Sequence, residues 1–152
     1  MPTLTAGIDT FSGNGEYFFT SSTLQATDTV TGGGGSFTDK MLLTQSGTVA
    51  ASQFAGVSNM ELLGLPSDSS SVNNVTIPDN LVAGASTGVF QVIGGSGNDT
   101  VNASSVTSGV RIVFNAGLQG TDSFTGGNGN DYFQFSGAEF TAADSVNGGA
   151  GF

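Results

Sequence analysis

Two nine-residue stretches of this chain place a carboxylate in a glycine-rich turn. They are 94–102 (GGSGNDTVN) and 126–134 (GGNGNDYFQ), and both follow the pattern G-G-x-G-x-D-x-U-x, in which U is a large apolar residue. The glycines permit a tight turn with inward-pointing carbonyls, and the aspartate adds a charged oxygen. Calcium is the hard cation that best suits such oxygen donors. The predicted calcium ligands are Gly94, Gly95, Gly97 and Asp99 in the first turn, and Gly126, Gly127, Gly129 and Asp131 in the second.

Partial copies of the motif extend this prediction. Asp122 lies nine residues before Asp131, so two nonapeptides run in tandem there. Degenerate copies begin at Asp9 and at Asp28, and the second of these is stretched by two residues before its next aspartate. A last copy begins at Asp144 and stops one residue short of the next aspartate position. These four aspartates complete the set of predicted metal ligands.

A second interpretation of these aspartates needs no metal. An aspartate in a Gly/Asn-rich turn also forms an Asx-turn, in which its side chain accepts a backbone hydrogen bond. That alternative is open above all for Asp28 and Asp39. Asp68 and Asp79 flank Ser/Pro turns and are interpreted as solvated.

The nonapeptide is the signature of the RTX family, and the chain resembles these calcium-binding proteins at both full motifs. The resemblance implies a right-handed parallel β-roll, and family members without a signal peptide typically leave the cell through a type I secretion system. Residues 51–63 (ASQFAGVSNMELL) also resemble a segment of bacterial surface-layer proteins, in which the phrase G-[VI]-x-x-[IM]-E-x-L recurs.

The chain also contains a longer repeat than the nonapeptide: residues 6–37 align with residues 119–152. The aligned pairs are Asp9 and Asp122, Phe11 and Phe124, Tyr17 and Tyr132, Leu24 and Phe140, Asp28 and Asp144, and Val30 and Val146. An array is therefore predicted, either a piece of a longer repetitive protein or a subunit that stacks end to end.

The predicted fold is an all-β, right-handed parallel β-solenoid that forms one domain over 1–152. Degenerate turns occupy 1–40, strand-rich rungs 41–93, and motif turns 94–152. Coils of about 18 residues would give roughly eight turns. Nothing in residues 1–5 resembles a cap. The apolar U positions are expected to stack between two sheets; they are Phe11, Val30, Val101, Phe124, Phe133 and Val146.

The composition of the chain limits its possible functions. The chain has 152 residues, 12 acidic and two basic side chains (Lys40 and Arg111), a net charge of −10, and neither His nor Cys. So few basic residues exclude a nucleic-acid partner. Without His or Cys there is no Ser-His or Cys-His dyad, and we predict no enzymatic activity, although a carboxylate pair for glycoside hydrolysis stays formally open. The first ten residues lack the features of a signal peptide, and no apolar run is long enough to insert into a membrane.

These features predict an extracellular, calcium-dependent structural protein that assembles end to end into a filament or surface layer. The expected partners are further copies of the chain, with a cell-surface polysaccharide as another candidate. The alternative is a calcium-folding stalk or binding module of a larger secreted adhesin, toxin or enzyme. In either case Ca²⁺ is the expected cofactor.

Overall fold

The computed structural model describes residues 1–36, 38–115, 117, 119–137 and 139–151, so Phe152, at the end of the last partial motif, lies outside the described residues. Within these ranges the chain forms fourteen short strands, one 3₁₀ helix (Ala51–Phe54) and one four-residue helix, α1 (Asp79–Val82). The strands are β1 (Thr10–Gly13), β2 (Glu16–Phe19), β3 (Thr29–Gly32), β4 (Lys40–Leu43), β5 (Gly47–Val49), β6 (Val57–Ser58), β7 (Leu62–Gly64), β8 (Val72–Thr76), β9 (Val89–Ile93), β10 (Asn98–Asn102), β11 (Arg111–Asn115), β12 (Ser123–Thr125), β13 (Tyr132–Gln134) and β14 (Ser145–Asn147). No helix of the described ranges has the length and apolar character to cross a bilayer.

The strands stack in parallel into three sheets. Sheet 1 has the order β13-β11-β9-β7-β4-β2, sheet 2 the order β14-β12-β10-β8-β5, and sheet 3 the order β1-β3-β6. Because neighbours in a sheet come from successive passages of the chain, the architecture is a β-solenoid, as predicted. Sheet 1 receives one strand from each passage, and its six strands correspond to about six coils rather than the predicted eight.

The coils are longer than two nonapeptides because most of them have a third side. Register pairs Val113 with Tyr132 and Leu62 with Gln91, so a coil takes between 19 and 29 residues. The 3₁₀ helix and α1 lie on this third side, where Nδ2 of Asn80 donates to the Phe54 and Val57 carbonyls, at 2.8 Å in both cases. From β12 to β13 the chain passes from sheet 2 to sheet 1 within one nonapeptide.

Inward-facing side chains form ladders along the solenoid. In sheet 2, register places Val49, Val75, Val101 and Phe124 in one row, and all four are buried. At the C-terminal end the rings of Phe114 and Phe133 stack with centroids 4.8 Å apart. Of the predicted U positions, Val30, Val101 and Phe124 are buried, Phe11 and Phe133 are partly buried against the core, and Val146 is 38% exposed.

The first and last coils share one hydrogen-bonding pattern, in agreement with the long repeat. The Asp9 N–H donates to Oδ1 of Asp28 at 3.0 Å, and the Asp122 N–H donates to Oδ1 of Asp144 at 2.8 Å. The strands that follow, β1 with β3 and β12 with β14, pair in the same way and bring Phe11 beside Val30 and Phe124 beside Val146.

In the repeat alignment, the match of Tyr17 with Tyr132 is wrong by one residue. Tyr17 is 2% exposed and points into the core, whereas Tyr132 is 55% exposed. The inward position of β13 is instead Phe133, which pairs with the buried Phe114. A one-residue offset in a strand turns a side chain to the opposite face, so Phe133 is the structural counterpart of Tyr17.

The N-terminus covers one sheet edge, contrary to expectation. The Leu4 N–H donates to the Phe18 carbonyl at 2.8 Å, and the Phe18 N–H donates to the Pro2 carbonyl at 3.0 Å. Leu4 is buried in the core. Residues 2–4 therefore shield the outer edge of sheet 1 at β2, while β1 remains one of the two edge strands of sheet 3.

Candidate metal centre

Three carboxylates of successive coils lie in a row beside sheet 2. This acidic column consists of Asp99, Asp122 and Asp144. The Asp99 N–H donates to Oδ1 of Asp122 at 2.9 Å, and the Asp122 N–H donates to Oδ1 of Asp144 at 2.8 Å. Asp99 in turn accepts a 2.7 Å bond from Nδ2 of Asn73, one coil earlier. Each carboxylate of the column thus accepts a hydrogen bond from the preceding coil.

The second oxygen of such a carboxylate closes the turn that precedes it. Oδ2 of Asp99 accepts the Gly95 N–H at 3.0 Å, and Oδ2 of Asp131 accepts the Gly127 N–H at 2.7 Å. Asp28 closes its own turn in the same way, accepting the Gln25 N–H at 2.8 Å. The local turn bonds of the metal-free interpretation are therefore present.

The structure brings some predicted ligands together and separates others. The acidic column joins Asp99, Asp122 and Asp144, and Asp9 lies beside Asp28 in the first coil. Asp131 lies apart, at sheet 1, where its Oδ1 accepts the Ile112 N–H at 2.8 Å.

The six predicted glycines lie where turns of neighbouring coils touch. A methyl group at Gly126 would lie 2.2 Å from Oδ2 of Asp131, and one at Gly94 would lie 2.9 Å from Oδ2 of Asp99. At Gly95 it would lie 1.8 Å from the Pro66 carbonyl oxygen, which leaves no room for a side chain. Gly97, Gly127 and Gly129 meet similar close contacts from Ser71, Val106 and Val110. The motif glycines therefore allow coil-to-coil contact and frame the carboxylates.

Burial and crowding shift the pKa values of these acids. Burial raises the pKa of Asp122 to about 6, and the nearby charges of Asp99 and Asp144 add to the increase, against the opposing hydrogen bond from the Asp99 N–H. Burial also raises the pKa of Asp99 and of Asp131. At the outer end of the column, the N–H groups of Asp122 and Thr141 lower the pKa of Asp144. Asp99 and Asp122 therefore bind a proton more tightly than a free aspartate does.

The oxygen donors of the turns suit calcium, but carboxylates alone would not complete a site. Among the described residues, no three acidic, His or Cys side chains are grouped so that they could hold a metal. A calcium ion at Asp99, Asp122 or Asp131 would combine one or two carboxylates with main-chain carbonyls of the glycine turns. An ionised carboxylate has about four lone-pair positions, so an oxygen that accepts an N–H can also bind a cation. The residues therefore fit calcium.

One acidic pair was missed by sequence reasoning. The Asp39 N–H donates to Oε2 of Glu61 at 2.8 Å, and both side chains are buried. Oδ1 of Asp39 accepts the Gly15 N–H at 2.6 Å, and Oε1 of Glu61 accepts the Ser86 N–H at 3.0 Å. The available signal was Glu61 itself, a charged residue inside the apolar run MELLGL.

Asp79 is only partly buried, and it also has partners that its interpretation as a solvated residue did not include. Its Oδ1 accepts the Thr107 N–H at 2.8 Å and the Ser108 N–H at 2.7 Å in the next coil. These bonds, above all the one from Ser108, lower the pKa of Asp79. Asp68 lies exposed in its loop, where it accepts a 2.7 Å bond from the Ser70 hydroxyl. Asp68 is therefore the better control position.

Comparisons with protein-family models, with curated proteins and with solved structures found no match to this chain.

Proposed function

We propose that this chain is an extracellular, calcium-dependent structural protein of the RTX type that assembles end to end into a filament or surface layer. The observation that carries the proposal is the exposed apolar surface of the last coil. Val146 is 38% exposed and Phe140 is 57% exposed, whereas their counterparts in the first coil, Val30 and Leu24, are no more than 1% exposed because another coil covers them. The last coil thus presents a surface that elsewhere in the chain receives a further coil.

A second copy of the chain can supply that coil. In both terminal coils an inward Phe is followed by an inward Val, as Phe11 by Val30 and Phe124 by Val146. If β14 of one copy paired with β1 of the next, the row would continue as Phe124, Val146, Phe11 and Val30. Unpaired parallel edges favour such pairing. The contact is heterologous, so it produces open filaments rather than closed dimers.

Both ends of this joint are acidic. Asp144 lies at the outer end of the acidic column, and Asp9 precedes β1. Carboxylates from two copies would repel each other, and a shared calcium ion would remove that repulsion. Calcium would thus act twice in the proposed function, stabilising each coil stack and permitting the joint between copies.

The alternative is a calcium-folding module of a larger secreted protein. The same exposed surface of Val146 and Phe140 would then receive a coil of a longer chain. Ordered polymers assembled from this polypeptide alone favour the structural protein, and a soluble monomer that folds with calcium favours the module. Secretion through a type I system is compatible with both.

A pair of matched substitutions tests the joint. Val146→Asp places a charge on the exposed end, while Val72→Asp makes the same change on the side of the solenoid, where Val72 is exposed at the start of β8. We expect the calcium-loaded wild type and V72D to form filaments in negative-stain microscopy and sedimentation, and V146D to remain monomeric. Filaments from V146D but not from V72D would place the contact on the side and refute the end-to-end arrangement.

Calcium dependence of folding is tested separately. With a net charge of −10 and carboxylates gathered at the turns, we expect the chelated chain at neutral pH to lose its strand signal in far-UV circular dichroism and to regain it on calcium titration. A full and unchanged strand signal in chelator would contradict this dependence for the isolated chain.

A further inference from the structure

The chain contains three Asn-Gly pairs, Asn14-Gly15, Asn128-Gly129 and Asn147-Gly148. An asparagine loses its side-chain amide spontaneously when the next main-chain nitrogen reaches its Cγ, and a following glycine has no side chain to obstruct that approach. In a folded protein the reaction also needs that nitrogen to be unbonded and the segment to open. The three pairs differ in both respects.

The Gly148 N–H points to the open end of the solenoid. Successive N–H groups of a strand alternate between its two sides. In β14 the Ser145 N–H donates to the Asp122 carbonyl at 2.8 Å. The Asn147 carbonyl accepts the Gly126 N–H, also at 2.8 Å. Both bonds join β14 to the preceding coil, so the N–H of Gly148 is directed away from that coil, and among the described residues it has no acceptor.

Asn147 and Gly148 are also loosely held. Both are exposed, and a methyl group at Gly148 would have no atom within 4 Å. The strand β14 has only three residues and pairs with β12 alone, at the edge of sheet 2. An edge strand with so few partners opens more readily than a strand inside the stack.

The other two Asn-Gly pairs are held in place. In the first, the Gly15 N–H donates to Oδ1 of Asp39 at 2.6 Å, so this nitrogen is already bonded. In the second, Gly129 is packed between coils. A methyl group on Gly129 would lie 2.1 Å from the Val110 carbonyl oxygen, and one on Gly151 would lie 1.8 Å from the Gly129 carbonyl oxygen. Contact on both sides restrains this peptide.

We propose that Asn147 is a site of spontaneous deamidation at the open end of the solenoid. The Gly148 nitrogen attacks Cγ of Asn147 and forms a succinimide ring, while the bond from Cγ to Nδ2 breaks. Nδ2 leaves as ammonia and takes the proton from the Gly148 N–H. Water then opens the ring at either carbonyl carbon and leaves aspartate or isoaspartate at position 147.

The reaction changes the last coil. Aspartate at position 147 adds a carboxylate three residues after Asp144. Isoaspartate also inserts a methylene group into the main chain of β14, which disturbs the register of Asn147 with Thr125. In the proposed filament, β1 of the next copy would cover the Gly148 N–H, so deamidation would be confined to uncapped ends. That restriction rests on the proposed function, whereas the reaction itself does not.

Peptide mass spectrometry measures the reaction at each pair. Full-length protein is kept in calcium at neutral pH, its fold is followed by circular dichroism, and polymers are separated by sedimentation. Trypsin cleaves after Lys40 and Arg111, so Asn14 lies in one peptide, and fragment masses distinguish Asn128 from Asn147 in another. In the soluble fraction we expect exchange of NH₂ for OH at Asn147 to be at least roughly tenfold faster than at the other two asparagines.

Two controls identify the cause. In concentrated urea the three pairs should react at similar rates, because the fold no longer separates them. Gly148→Ala, whose methyl group meets no atom within 4 Å, should slow the reaction by roughly tenfold because a side chain obstructs the nitrogen. An Asn147 that reacts no faster than Asn14 and Asn128 in folded soluble protein, or at the wild-type rate in folded Gly148→Ala, would overturn the site. Equal rates in soluble and sedimented protein would instead count against the joint at β14.

Discussion

The pKa of Asp122 predicts that the metal-free fold gains stability on mild acidification. The pKa rises from 3.8 to about 6 on folding, mainly through burial and also through the charges of Asp99 and Asp144. The folded state therefore binds a proton more tightly than the unfolded state. The free energy of unfolding should fall as pH rises between these two pKa values and stay low above them. The raised pKa values of Asp99 and Asp131 act in the same direction.

The size of this effect follows from the shift. A shift of this size corresponds to about 3 kcal/mol at full strength, and solvent near the turn reduces it to about 1 to 2 kcal/mol. Asp122→Asn keeps an oxygen that can accept the Asp99 N–H and removes the charge. At neutral pH we therefore expect metal-free Asp122→Asn to exceed the wild type in free energy of unfolding by about 1 to 2 kcal/mol.

Urea unfolding of metal-free protein, prepared by dialysis, measures the prediction between about pH 4 and pH 7. Asp68→Asn is the matched control, since its exposed loop lies outside the acidic column, and it should keep the wild-type slope. If the metal-free wild type is unfolded at neutral pH, the same physics predicts that acidification restores its strand signal. A wild-type slope in Asp122→Asn, or a loss of stability at neutral pH, would refute the reasoning.

Two further predictions concern the turns. Asp131→Asn should raise the calcium concentration at the folding midpoint while Asp68→Asn leaves it unchanged, and equal midpoints would show that the Asp131 turn binds no calcium. Gly95→Ala should cost about 1 to 3 kcal/mol in urea unfolding because the added methyl would lie 1.8 Å from a carbonyl oxygen. Gly34→Ala, which meets open space, should cost less than about 0.5 kcal/mol, and equal losses would contradict the close-contact role of the motif glycines.

The nonapeptides predicted local structure well because their information is local. Asp122 directly precedes β12 and Asp131 directly precedes β13, as the pattern requires, and Phe124 faces the core. Glycine fixes where the turn approaches its neighbours, and the apolar U residue fixes which face of the strand is buried. The parallel solenoid follows from repeating these two features.

The nonapeptide pattern could not predict the features that depend on distant parts of the chain. The 3₁₀ helix Ala51–Phe54 and α1 lengthen the coils on the third side, yet neither carries a repeat that marks it in the sequence. The bond from the Asp39 N–H to Glu61 spans 22 residues, so it depends on the length of the intervening coil. The cover formed by residues 2–4 depends on the burial of Leu4 in the core. A single leucine in a short segment has no pattern that would predict this burial.

The balance of charge connects the fold to the proposed role of calcium. Lys40 forms an ion pair with Glu16, and Arg111 donates from Nε to the Asn130 carbonyl at 3.1 Å, so neither bond reaches the acidic column. The column is held instead by N–H groups of adjacent coils, which orient the carboxylates without removing their net charge. Each added coil that carries an aspartate increases the mutual repulsion, and salt screens buried charges only weakly. Protons can neutralise the column at low pH, and in the proposed function a bound divalent cation does so at neutral pH. If calcium neutralises the column as proposed, we expect the solenoid to fold where calcium is plentiful and to stay open where it is scarce.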